Sequence, residues 1–99
     1  MLVLARSVGE SIVFDNTHCL TITHIDSAVV RVTLCELAIP KQVTSCTLRM
    51  DESVKVLPNV DVTLVALSVK PRRARLGIVA PPEISYHRKE VFNPPDEKK

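Results

Sequence analysis

The tightest constraint on this fold is an internal repeat of strand-like segments. Val8-Gly9-Glu10-Ser11-Ile12 returns as Met50-Asp51-Glu52-Ser53-Val54, so Glu10 and Glu52 stand 42 positions apart. Arg31-Val32 returns as Arg75-Leu76 at an offset of 44, which makes the second copy two residues longer between those points. Within both copies apolar and polar residues alternate, the period of a strand with one buried face, and helical periodicity is nearly absent. Leu2 and Leu4 alternate with Val3 and Ala5, and residues 11–14, 20–25, 29–34, 53–57, 61–69 and 73–80 read as further short strands. Asp15-Asn16, Asp26-Ser27, Pro58-Asn59 and Pro71 supply the breaks. One such meander cannot easily bury its own apolar face. An all-β molecule is therefore expected, with residues 1–42 and 43–92 packed as two similar halves about an approximate two-fold axis. Only Tyr86 to Phe92 looks helical, and Pro94 and Pro95 stop it; residues 93–99 read as a loose polar tail.

A chain of 99 residues supports one modest core, and with 45% apolar residues but only 3% aromatic ones that core must be built from aliphatic side chains. There is little room for a deep catalytic cleft. The formal net charge of +2 says little, so its distribution matters more. Lys70, Arg72, Arg73 and Arg75 fall within six positions, and Arg88 and Lys89 follow. Such a cluster suits a solvated hairpin tip as well as an anionic ligand. Cys19, Cys35 and Cys46 are odd in number and lack CxxC spacing, and no leader-like segment precedes them, so reduced thiols and a cytoplasmic location are expected. No apolar run approaches the ~20 residues of a membrane helix.

Catalytic and metal chemistry find little support. On an alternating strand His18 and His24 face away from Cys19, so these residues and Cys35 do not read as a metal site. Cys46 as a nucleophile would need a positioned base, and His87 has no evident carboxylate partner. Gly9 and Gly77 are the only glycines, too far apart for a phosphate-cradling loop. The expectation is a protein that is not an enzyme and uses no metal or cofactor.

Two stretches carry a family resemblance. The opening Met1-Leu2-Val3-Leu4-Ala5-Arg6-Ser7-Val8-Gly9-Glu10-Ser11-Ile12, continuing without a gap to Leu34, resembles the start of the carbon storage regulator family (CsrA or RsmA). The segment from Val69 to Phe92, with Arg75-Leu76-Gly77 followed by Ala80-Pro81-Pro82-Glu83-Ile84-Ser85-Tyr86-His87-Arg88, is similar to the family's last two strands and helix start. Residues 39–68 fit only as the worn end of one copy and the start of another. The resemblance implies a CsrA-like pseudo-dimeric β-barrel or sandwich with a short C-terminal helix, two family repeats fused in one polypeptide.

The resemblance also implies function: binding of GGA-containing loops in messenger leaders, and control of translation initiation or message stability. Small regulatory RNAs bearing such loops would be further ligands. Family members are dimers in which each RNA site joins the first strand of one chain to the last strand of the other. Carried over by position, Leu4 and Arg6 contact RNA, and Ala80, Pro81, Pro82, Glu83, Ile84, Ser85, Tyr86, His87 and Arg88 form the region that reads the bases. Lys70, Arg72 and Arg73 are accessory candidates, since Ser7 replaces the family's usual second basic residue. The physical demands agree, because an RNA loop calls for guanidinium groups, backbone amides and carbonyls on a strand edge, and apolar surface. At the joint, Cys46 and Leu48 stand where Leu4 and Arg6 stand in the first copy, and Cys46-Thr47 also replaces the His-Arg expected after Ile39-Pro40-Lys41-Gln42-Val43. One RNA site on a monomeric pseudo-dimer is the expectation, with self-association left open. The competing reading is a degenerate member that acts as a protein-interaction module or antagonist of a regular regulator.

Overall fold

In the computed structural model of the protein, residues 1–88 are described, His87 and Arg88 by their backbone alone. Nine strands run among them: β1 (Leu2–Arg6), β2 (Ser11–Phe14), β3 (His18–Ile25), β4 (Val29–Glu36), β5 (Val43–Arg49), β6 (Ser53–Leu57), β7 (Val60–Val69), β8 (Arg72–Val79) and β9 (Tyr86–Arg88). They form two antiparallel sheets, ordered β1-β8-β7-β6 and β5-β4-β3-β2-β9. The described residues are all-β, as the alternation requires.

The core is aliphatic. Ile12, Phe14, Leu20, Ile22, Ile25, Val30, Val32 and Leu48 from one sheet meet Val60, Val62, Leu64, Ala74, Leu76 and Ile78 from the other. Each spacing of two marks the inward face of its strand. Burying one such side chain contributes about 1.5–3 kcal/mol, and among the described residues Phe14 is the only aromatic ring that is fully buried.

The repeat is written into the hydrogen bonds. Gly9 N–H donates to the Ile22 carbonyl and Asp51 N–H to the Leu64 carbonyl, both at 2.8 Å. Glu10 N–H reaches the Ser7 carbonyl and Glu52 N–H the Arg49 carbonyl, both at 3.0 Å. Each glutamate then accepts from the backbone three residues before it, Ser7 N–H at 2.8 Å and Arg49 N–H at 2.9 Å. The φ angles explain the residue types: Gly9 lies at 90° and Asp51 at 69°, a left-handed region open to glycine and tolerated by aspartate. Both β3 and β7 carry a register irregularity, between Ile22 and His24 in one and Leu64 and Ala66 in the other.

The first strand of each half crosses to the other. β1 pairs with β8, Leu4 opposite Leu76 and Arg6 opposite Ala74. β5 pairs with β4, Cys46 opposite Val32 and Leu48 opposite Val30. At offsets of 42 and 44 these are the same pairings with the halves exchanged.

One strand departs from expectation. Tyr86–Arg88, read as the start of a helix, instead pairs with β2, with Phe14 opposite Tyr86, Val13 opposite His87 and Ile12 opposite Arg88. The reason is tertiary: β2 offers an open edge, and Ile84 and Tyr86, two positions apart, both pack against the core, which suits a strand. The remainder of that expected helix, residues 89–92, and the expected tail, 93–99, lie outside the described residues.

Candidate nucleic-acid interface

The sheet ends decide which edges can act together. β5, at the end of one sheet, contacts β6, at the end of the other, and β3 contacts β8 across the sandwich. The opposite ends, β1 and β9, therefore fall on the same side of the molecule. This brings the first strand of the first half and the last strand of the second to one edge, as the resemblance implies for an RNA site.

Leu4 is half-buried against the core, facing inward opposite Leu76. Arg6 shares that inward face and is buried, 4% exposed. Its Nε donates to the Ala5 carbonyl at 2.8 Å and Nη1 to the Ser11 carbonyl at 3.4 Å, while Nη2 stands 3.7 Å from the Glu10 carboxylate. The counterpart of Arg6 in the second half is Leu48, also buried. Arg6 thus occupies a core-facing position, and in this conformation its charge is directed to carbonyls and Glu10 rather than displayed to solvent.

The segment after β8 crosses to β2. Ala80 and Pro81 are half-buried, Pro82 and Glu83 exposed, and Ile84 N–H closes a turn on the Pro81 carbonyl at 3.1 Å. Ser85, exposed, accepts from Asp15 N–H at 2.6 Å, which locks the segment onto the end of β2. Tyr86 then sets its ring edge-on to Phe14, with centroids 6.4 Å apart at 82°. The backbones of His87 and Arg88 continue the strand; their side chains lie outside the description. What this edge offers is exposed backbone, a proline-rich turn and apolar surface from Leu4, Ile84 and Tyr86.

The accessory cations lie nearby. Lys70, Arg72 and Arg73 are exposed at the β7–β8 hairpin. Arg73 and Arg75 line a groove on the outer face of the four-stranded sheet together with Ala5 of β1, which is paired with Arg75. Among the described residues no carboxylate pairs with either guanidinium. Arg75 was not among the site residues expected from sequence, although parity could have found it: Ala74 and Leu76 face the core, so Arg75 must face out.

Other titratable groups serve turns and strand neighbours. His24 Nε2 meets Asp26 at 3.0 Å, His18 stands 3.9 Å from Glu36, and Cys19 lies opposite Cys35 in the β3–β4 ladder. Asp26 accepts from the N–H groups of Ala28 and Val29 at 2.8 and 2.9 Å, and chiefly these bonds, with His24 adding to them, lower its carboxyl to about 2. No helix among the described residues is long and apolar enough to cross a membrane.

Compared with known proteins, the chain matches no family model and no solved structure.

Proposed function

We propose that this chain is a sequence-specific RNA-binding regulator of the carbon storage regulator type, which takes GGA-containing loops of messenger leaders and alters translation initiation or message stability in the cytoplasm, without catalysis. The observation that carries the reading is the meeting of β1 and β9 on one edge of the sandwich, since those two strands hold the residues that resemble the family's RNA contacts. In this reading the site is built from the β9 backbone and the Ala80–Arg88 segment, with Leu4 as apolar floor. Arg6 braces the β1–β2 corner from inside, and Arg73, Arg75 and the hairpin cations Lys70 and Arg72 attract phosphates. The fold then corresponds to a fused CsrA-like pseudo-dimer with one binding edge, ending in a short helix.

Titration of a GGA hairpin and a GGA-to-CCA control at two salt concentrations tests this. Expected is saturable binding of the GGA hairpin alone that weakens as salt rises, as phosphate contacts require. Equal binding of the two RNAs would remove the sequence-specific reading, and no binding of either would remove RNA altogether.

A further inference from the structure

The two halves differ at one edge. β2 carries β9 on its outer side, and all four β2 residues are buried. β6 is the equivalent strand 42 positions on, paired to β7 as β2 is to β3, yet among the described residues it ends its sheet, with Ser53 and Lys55 exposed and Val54, Val56 and Leu57 half-buried. Leu64 N–H donates to the Glu52 carbonyl at 3.0 Å, so Glu52 and Val54 turn their backbone groups toward β7. By alternation Ser53 and Lys55 turn theirs outward, as their equivalents Ser11 and Val13 do toward β9. The side-chain setting matches as well. Tyr86 of β9 lies against Phe14, whose counterpart is the smaller Val56. Beside Val56 runs an open groove walled by His18, Leu34, Ile39, Val43 and Lys55, in which Ile39 is 43% and Val43 51% exposed.

We propose that the β6 edge and this groove form a docking site for an extended peptide segment of another protein, added antiparallel to β6 as a tenth strand. The internal template sets the apolar part of its chemistry, an aromatic or large aliphatic side chain opposite Val56, where Tyr86 stands opposite Phe14. Lys55, exposed and 3.1 Å from Asp61 on the neighbouring strand, adds a preference for a second carboxylate opposite it, at the position His87 holds opposite Val13. A second copy of this chain is a poor occupant. Its β9 could fill β6 only by vacating its own β2, with no net gain of strand pairing. Two β6 edges paired about Lys55 would set two lysines face to face, each held only by the Asp61 of its own chain at 3.1 Å. The site is independent of RNA binding, being built on the opposite side of the sandwich from β1 and β9.

The probe is a synthetic peptide with the sequence of residues 82–88, glutamate replacing its histidine, titrated into the full ¹⁵N-labelled chain. Expected are saturable shifts centred on Ser53 and Lys55 and slowed exchange of their amides. Lys55→Pro removes one outward N–H at a position where an edge strand tolerates proline, and should weaken binding at least tenfold. Lys55→Glu should reverse the preference, favouring the same peptide with lysine in place of the glutamate. Neither variant should change RNA titration. Shifts centred on β2 and β9, affinity indifferent to both variants, or no saturable binding would each overturn the proposal.

Discussion

Arg6 and Leu48 are the same position in two halves, and the contrast isolates what a guanidinium adds there. Replacing a buried ion with a well-packed hydrophobe is often neutral. Arg6→Leu is therefore expected to keep its stability within about 1 kcal/mol of the parent in urea unfolding. Arg6→Ala, which leaves a gap and strips the bonds to Ala5 and Ser11, should lose about 2 kcal/mol or more. Arg88 and Arg49 test specificity instead. A charge-assisted contact is worth ~1.5–3 kcal/mol, so Arg88→Ala should weaken GGA-RNA binding roughly tenfold or more, and Arg49→Ala, on β5 of the joint, much less. Equal losses would point to diffuse attraction. Asp26 gives a pH prediction. With its carboxyl lowered to about 2 from the ordinary 3.8, the ionised form stabilises the β3–β4 turn above the unfolded value and loses that effect as pH falls through the folded one. The carboxyl carbon of Asp26 should titrate by NMR with a midpoint near 2, and the hairpin should loosen between pH about 4 and about 2. A midpoint near 4 would mean that the turn amides do not hold the carboxylate.

Among the elements, β9 is short and joins two roles. Its three residues cover β2, through Tyr86 on Phe14, and stand at the edge proposed to meet RNA. Tyr86→Ala should cost about 1–3 kcal/mol of stability, less than for a fully buried ring because Tyr86 is half-buried, and should lower RNA affinity by more than that loss of folded chain explains. Phe in its place should restore stability, since the edge-to-face contact needs only the ring. β9 is also where sequence reading met its limit. Local pattern over 86–92 favoured a helix, and nothing local announces that β2 has an open edge within reach. Most other strands were legible, because Ile12 and Phe14, Val30 and Val32, or Ala74 and Leu76 alternate with outward residues at period two. Arg6 has the parity of Leu4, yet an arginine beside a strand end normally reads as surface, and only the packing of the opposite sheet shows that it is covered. Arg75 shows the converse, a placement that parity alone would have supplied.

At the scale of the whole molecule, β5 does for the second half what β1 does for the first, so no strand is left among the described residues to pair β6 as β9 pairs β2. One edge is left for the proposed RNA contact. Mass measurement and titration on the same sample should give a monomer binding a single GGA hairpin. Two equivalent hairpins per chain would require a second edge that residues 43–49 cannot form while they pair with β4.

The pairing of β1 with β8 has a consequence for how the chain acquires its shape. Leu4 meets Leu76, so the first strand must wait for a partner seventy-odd residues further along. β2, β3, β4 and β5 can zip as successive hairpins, whereas β1 closes a long loop and bears its entropy before any contact is gained. During synthesis β1 stays without its ladder until β8, Arg72–Val79, has left the ribosome. The edge proposed to meet RNA is thereby among the last parts to form, and a truncated product lacking β8 has no finished sheet on which β1 could dock.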